Sequence, residues 1–182
     1  MKKLPLIFPA LAAIALISGG SCKSDNDYED YEEWRKANNE WYLEQMNRKD
    51  ASGQPYYTLL QPEWYKSSGV LIRYLSDRSL TEGNLSPLET SSCKVKYIGR
   101  LYNDEAFDSS YLATDSVRVF QPSGVIDGWQ IALNAMRVGD SVEVVIPYMQ
   151  GYGVTGNSGI LPYSALRFNM RLVDIENYET KP

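Results

Sequence analysis

The strongest constraint on the fold is a strict alternation of apolar and polar side chains near the C-terminus. Residues 166, 168, 170 and 172 are Leu, Phe, Met and Leu, whereas residues 167, 169 and 171 are Arg, Asn and Arg. Successive side chains of a β-strand point to opposite faces of its sheet. The pattern therefore predicts a strand over 166–175 with one buried and one wet face, which is typical of antiparallel sheets.

The same period of two recurs in earlier segments that are separated by Gly, Pro, Asn, Asp and Ser. These predicted strands cover 56–60, 70–75, 94–101, 117–120 and 141–147. In the run 94–101 the expected inward side is formed by Val95, Tyr97, Gly99 and Leu101. The sequence thus predicts one sheet made of about six strands.

One helical pattern lies among these strands. Trp129, Ala132, Leu133 and Met136 are spaced at i, i+3, i+4 and i+7, and Asp127 is expected to cap the helix. Val-Gly-Asp at 138–140 would end it. A sheet that buries one face on a single short helix defines an α+β domain, which we expect over residues 56–180.

A second helical pattern precedes this domain, and its apolar side is unusually aromatic. Its members recur every three or four residues. They are Tyr31, Trp34, Asn38, Trp41, Tyr42 and Gln45. We expect an amphipathic helix and linker over 31–55, packed on the domain that follows. Self-association into a homodimer through the 31–49 helix is the alternative.

The N-terminal sequence has the pattern of an export signal. Lys2 and Lys3 precede an apolar stretch over 4–17, and small residues then lead to Cys22. This order resembles a bacterial lipoprotein signal, which would make 1–21 the signal peptide and Cys22 a lipidated anchor, followed by an acidic tether over 22–30. The tether resembles the export signal of Bacteroidetes surface lipoproteins. We therefore expect a lipid-anchored protein of the cell envelope, with the outer membrane, the periplasmic side and the cell surface all left open, and with plain secretion as the alternative.

Composition excludes several classes of function. The 182 residues contain no histidine and two cysteines, and the net charge is −5. Without histidine there is no Ser-His or Cys-His catalysis, and two cysteines cannot complete a Cys₄ zinc site. A net acidic chain is a poor candidate for nucleic-acid binding. Cys93 is interpreted as a small apolar strand residue rather than a nucleophile.

Nine short motifs, in order, carry a resemblance to a known family. They read Val-Lys-Tyr-Ile-Gly-Arg-Leu at 95–101, Phe-Asp-Ser-Ser at 107–110, Val-Ile-Asp-Gly-Trp at 125–129, Ala-Leu at 132–133 with Met136, Val-Gly-Asp at 138–140, Ile-Pro at 146–147, Gly-Tyr-Gly at 151–153, Gly-Ile-Leu-Pro at 159–162 and Leu-Arg-Phe at 166–168. Their order and spacing resemble an FKBP-type peptidyl-prolyl cis-trans isomerase. The similarity covers roughly residues 88–176.

The resemblance implies a curved antiparallel sheet wrapped around one short helix, with an apolar active-site pocket between them. Trp129 would form the floor, Asp108 would lie at the wall, and the Ile126 N–H and the Tyr152 hydroxyl would bind carbonyls of the peptide. The implied catalytic residues are Tyr97, Phe107, Asp108, Ile126, Trp129, Tyr152 and Phe168, and the implied substrate-binding residues are Phe120, Val125, Ile160 and Leu161.

The implied substrates are proline-containing unfolded or exported polypeptides, and the reaction needs no cofactor or metal because no covalent bond breaks. The chain departs from a common family pattern at several positions, among them Arg118, where an aromatic residue is common, and Asn157, where a histidine is often found. We expect these changes to alter the pocket rim. A non-catalytic chaperone or peptide-binding module that uses the same apolar groove is the alternative function.

Overall fold

The computed structural model describes residues 31–63 and 66–176. The predicted signal peptide, the lipidation of Cys22 and the acidic tether lie outside these residues. Among the helices of the described ranges, none combines the length and the apolar character that crossing a membrane requires.

Seven strands form one antiparallel sheet, in the order β1-β2-β6-β7-β3-β4, and β5 pairs with β3 beside β4. The strands are β1 Thr58–Leu60, β2 Val70–Tyr74, β3 Ser92–Leu101, β4 Ala106–Ser109, β5 Arg118–Phe120, β6 Ser141–Ile146 and β7 Leu166–Glu176. Within the described ranges two α-helices accompany the sheet, α1 Glu32–Asn47 and α2 Asp127–Ala135. The predicted α+β architecture, a curved antiparallel sheet around one short helix with a further helix before it, is confirmed.

The longest strand pair, β3 with β7, carries the core. Val95 lies opposite Leu172, and Gly99 lies opposite Phe168. Alternate residues along both strands are buried and their neighbours are more exposed, as the period of two predicts. Helix α2 packs on the buried face with Trp129, Ala132 and Leu133. This burial of apolar area is the main stabilisation of the domain.

Helix α2 approaches the sheet at Gly128. A Cβ at this position would overlap the side chain of Ile146 on β6. The glycine therefore allows close contact between helix and sheet just where the pocket begins. Asp127 is not the cap of this helix: Ile126, in extended conformation, occupies the N-cap, and Asp127 is the first helical residue. Its carboxylate still lies at the positive end of the helix dipole.

The opposite face of the sheet is not uniformly wet, which corrects the one-sided expectation for β2 and β6. Leu71 and Val145 point away from α2 and are fully buried with Tyr57. Trp41 and Tyr42 of α1 pack against this second cluster. The aromatic side of α1 thus packs on the domain, as its favoured interpretation predicts. Homodimerisation stays a prediction.

Strand β4 is not predicted by the sequence pattern. Its four residues include Asp108 and Ser109, which have low strand propensity, and it pairs with β3 around an irregularity between Gly99 and Arg100. The pairing of β4 is therefore imposed by the tertiary structure rather than by local preference. It brings the 107–110 motif alongside the core strand.

Cys93 is a fully buried strand residue, and burial raises the pKa of its thiol to about 11. The folded protein therefore keeps this thiol protonated, and it loses stability as the pH rises from the ordinary thiol pKa of 9.0 to about 11, because the thiol of the unfolded chain ionises first. At pH 8 we expect iodoacetamide to modify Cys93 at least about 100-fold more slowly in the native protein than in urea. Mass spectrometry of the Cys93 peptide measures this, and equal rates would contradict the burial.

Candidate active site

A cavity of about 270 Å³ opens between α2 and the concave face of the sheet. Its volume is close to the lower end of the range for small-molecule pockets. Strands β3, β4, β5 and β7, the start of α2 and the segment after β6 all contribute to the wall. The lining residues are Tyr97, Phe107, Asp108, Phe120, Gly124, Val125, Ile126, Trp129, Tyr152 and Phe168.

The floor of the cavity is an aromatic cluster centred on Trp129. The Trp129 ring lies 4.9 Å from Tyr97, 5.1 Å from Phe120 and 5.2 Å from Phe168, all edge to face. Edge-to-face contacts of this kind add to the stability that burial gives. Three neighbours fix the indole in one orientation, so the floor is preformed.

Gly99 lets the aromatic wall close behind the cavity. A Cβ on Gly99 would lie 2.6 Å from Phe168 and 2.7 Å from Phe107, closer than real atoms approach. The two rings instead meet edge to face with centroids 5.5 Å apart. A glycine among the inward residues of β3 is thus a packing requirement, and it sets the shape of the pocket wall.

Among the described residues of the lining, Asp108 is the only carboxylate, and it is held by three neighbours. The Tyr97 hydroxyl donates to Oδ2 at 2.6 Å, and the Ser109 N–H donates to Oδ1 at 2.8 Å. Arg118 Nη1 lies 4.0 Å from Oδ1. Burial, followed by the bond to Asp108, raises the pKa of Tyr97 above its usual range, so this hydroxyl stays protonated at neutral pH.

Two groups at the cavity can donate hydrogen bonds to a peptide. Ile126 is the N-cap of α2, where backbone N–H groups have no acceptor within the helix. Tyr152 follows the short 3₁₀ turn Tyr148–Gln150 and lines the cavity with its partly buried side chain. An apolar cavity with donors at its edge is suited to binding an uncharged, carbonyl-bearing ligand.

Nine of the eleven residues assigned to the pocket by resemblance lie together in the lining, and two do not. Ile160 is buried in the core cluster, and Leu161 is 44% exposed with its carbonyl accepting from the Ser164 hydroxyl. Gly124, which the sequence reasoning missed, completes the lining. It lies in the Pro122–Gly124 turn directly before Val125. Its position next to the 125–129 motif could have indicated that it lines the pocket.

The described ranges contain no group of three or more Asp, Glu, Cys or His side chains that could hold a metal ion.

Comparisons with known proteins agree with this geometry. The model of a family described as FKBP-type peptidyl-prolyl cis-trans isomerase matches residues 83–173, half of the chain. A macrophage infectivity potentiator of Trypanosoma cruzi is 39% identical over 119 residues, covering 64% of this chain and 59% of that protein. The FKBP-type isomerase FkpA of Escherichia coli is 34% identical over 91 residues, covering 50% and 33%.

Solved structures show the same fold. A crystal structure of a peptidyl-prolyl cis-trans isomerase from Pseudomonas syringae superposes with a TM-score of 0.63 at 26% identity, over 81% of this chain and 96% of that one. The crystal structure of FkpA from Escherichia coli gives 0.62 at 26% identity, over 83% and 62%.

The fold and the comparisons define a domain of the peptidyl-prolyl cis-trans isomerase type, and its cavity has an aromatic floor. The chain belongs to the family of FKBP-type peptidyl-prolyl cis-trans isomerases. It spans 59% or less of the length of the two curated relatives described above.

Proposed function

We propose that this protein is a peptidyl-prolyl cis-trans isomerase that acts on proline-containing segments of unfolded or exported polypeptides. The observation that carries the proposal is the preformed aromatic cavity, with Trp129 at its floor and donors at Ile126 and Tyr152. Family membership supports the same reaction.

The reaction rotates the X-Pro amide, whose barrier of about 18–20 kcal/mol comes from resonance between the C=O and the C–N bond. The planar amide carries separated charge that water solvates well, whereas the twisted amide has lost much of it. An apolar aromatic cavity therefore stabilises the twisted form relative to the planar one. The walls formed by Phe107, Phe168 and Trp129 would hold the pyrrolidine ring while the acyl side turns.

The polar groups of the site would fix the peptide during this rotation. The Ile126 N–H and the Tyr152 hydroxyl would each bind a flanking carbonyl, so that only one bond is free to turn. Asp108, anchored by Tyr97, would present its carboxylate beside the reacting amide. No proton transfer or covalent intermediate is needed, so the absence of histidine does not conflict with catalysis.

The proposed site of action is the bacterial cell envelope, and the proposed anchor is a lipid on Cys22. This proposal rests on the N-terminal sequence, where an apolar stretch and small residues precede the cysteine. Labelling of the expressed protein with a fatty-acid analogue tests it, and a Cys22→Ser variant that is still labelled would contradict it.

A protease-coupled assay on a short X-Pro peptide tests catalysis directly. We expect the wild type to accelerate the cis-to-trans step, and Tyr152→Phe to lower kcat/KM about three- to tenfold because one hydrogen bond to the peptide is lost. Tyr111→Phe is the matched control, since Tyr111 is exposed and lies outside the cavity lining. A wild type without catalysis, or equal effects of both variants, would contradict the proposal.

A non-catalytic peptide-binding role is the second candidate. Leu112 and Val154 are exposed apolar side chains that lie four and two residues along the chain from the lining residues Asp108 and Tyr152. Such side chains could extend contact with an unfolded client beyond the cavity. Suppressed aggregation of a denatured client without any isomerase activity would favour this role over catalysis.

A further inference from the structure

We propose that Trp34 and Asn38 of helix α1 are positioning residues for Tyr152. The helix would act by fixing the end of the segment 147–165, which carries Tyr152 into the cavity and then returns to β7. This inference rests on the proposed isomerase function. It assigns part of the catalytic geometry to a helix that lies outside the matched family region.

The first contact is the buried amide of Asn38. Its side chain is 1% exposed, and its Oδ1 accepts from the Ala165 N–H at 2.8 Å. Its Nδ2 donates to the Trp34 carbonyl at 2.8 Å, one helical turn earlier. Asparagine is unfavourable inside a helix and costly to bury, so both hydrogen bonds are needed to offset its position. This contact fixes the last residue before β7.

The second contact is the indole of Trp34. Its Nε1 donates to the Ser164 hydroxyl at 3.1 Å, and that hydroxyl donates to the Leu161 carbonyl at 2.7 Å. The Trp34 ring also meets Tyr102 edge to face at 5.1 Å, which holds the indole from the side of β3. Two consecutive residues, 164 and 165, are thus bound to α1.

Tyr163 carries the constraint from this end of the segment back to Tyr152. Its backbone has a positive φ of 62°, an uncommon conformation for a bulky residue, and its side chain is buried. The Tyr163 N–H donates to the Gly153 carbonyl at 2.9 Å, and the Gly153 N–H donates to the Tyr148 carbonyl at 2.8 Å. The rings of Tyr163 and Tyr148 pack at 5.3 Å.

Tyr163 thus fixes the backbone of Gly153 through a hydrogen bond. Tyr152 directly precedes Gly153 in the chain, so the position of its backbone depends on the same hydrogen bond. Loss of the α1 contacts would free residues 163–165, and the Gly153 hydrogen bond would then no longer fix the backbone on which the Tyr152 hydroxyl depends. Displacement of a positioning group by about 1 Å can lower a rate 100-fold, so even a small release is measurable.

The two halves of α1 contact different parts of the domain. A substitution in one half can therefore serve as the control for a substitution in the other. Trp34 and Asn38 bind residues 164 and 165, whereas Trp41 packs on the cluster of Tyr57, Leu71 and Val145 behind β2 and β6. A purely structural role of α1 predicts that loss of either group of contacts affects activity only through unfolding.

The experiment is a double-mutant cycle on kcat/KM between Asn38→Ala and Tyr152→Phe, with Trp41→Leu as the control, at a temperature where circular dichroism shows every variant folded. We expect Asn38→Ala to lower kcat/KM about fivefold in the wild type and to have almost no effect in the Tyr152→Phe background. Trp41→Leu should change kcat/KM less than about twofold in both backgrounds.

Independent effects of Asn38→Ala and Tyr152→Phe, or an equal loss in Trp41→Leu, would overturn the inference while leaving the isomerase function in place. A wild type without activity would overturn both. If Asn38→Ala does not fold, Trp34→Phe replaces it, since this change removes only the Nε1 donor and keeps an aromatic ring against Tyr102. The same dependence on Tyr152 is expected of it.

Discussion

Replacing Trp129 with alanine is expected to remove nearly all isomerase activity, with a loss of kcat/KM of about 100-fold or more. The indole is 4% exposed and is the common neighbour of Tyr97, Phe120 and Phe168. Its removal would leave the proline ring without a floor and would admit water to the place where the twisted amide needs an apolar surface. Protease-coupled kinetics on an X-Pro peptide measures the loss.

The same substitution is expected to destabilise the fold by about 3–5 kcal/mol, the usual cost of deleting a large buried aromatic side chain. Activity must therefore be compared only where circular dichroism shows native protein. Trp129→Phe is the graded control, because it keeps a ring at the floor and should retain about a tenth of the activity. A folded Trp129→Ala variant with wild-type kcat/KM would contradict the assigned floor.

The central part of the fold could be predicted because it depends on local periodicity. Buried residues alternate along the whole of β3 and in β7 from Leu166 to Leu172, and the strand order places the two strands against each other. Helix α2 likewise shows its buried side through the spacing of Trp129, Ala132 and Leu133. Where one face of an element is buried and the other is wet, sequence and structure carry the same pattern.

The loop that closes the pocket could not be predicted in this way. Ile160 and Leu161 are adjacent apolar residues, yet one enters the core and the other faces solvent. Their directions follow from the positive φ angles of Gly156 and Gly159 and from a bridge between Asn157 and Ile160. Loops have no period that tells which side chain turns inward, so the sequence pattern could not separate these two positions from the residues that line the cavity.

Helix α1 lies between these two cases. Its spacing predicts the helix and its packed side, but leaves open why Asn38 lies on that side. Asn38 lies on the packed side because its Oδ1 accepts a hydrogen bond from the N–H of Ala165, which is 127 residues away in the chain. A polar residue on an apolar stripe can therefore indicate a specific distant partner, and here that partner lies at the end of the segment that carries Tyr152.

Replacing Asp140 with alanine is expected to lower the free energy of unfolding by about 3 kcal/mol, the scale set by removing one partner of a buried ion pair. The carboxylate is fully buried. It accepts from the Thr81 hydroxyl at 2.6 Å and from the Arg137 N–H at 2.9 Å, and it lies 3.4 Å from the Arg78 Nε. Alanine would leave the Arg137 N–H without its acceptor and would remove the charge that faces Arg78, in a site where burying an unpaired donor is costly.

The cost of Asp140→Ala has two parts, the loss of hydrogen-bond acceptors and the loss of the charge facing Arg78. Asp140→Asn separates them, because it keeps one acceptor oxygen but removes the charge. We expect it to lose about half as much stability as alanine in urea titrations followed by circular dichroism. Since Asp140 lies in the turn from α2 to β6, remote from the cavity lining, both variants should keep wild-type kcat/KM while folded. A stable Asp140→Ala variant would show that the buried carboxylate is not what fixes this turn.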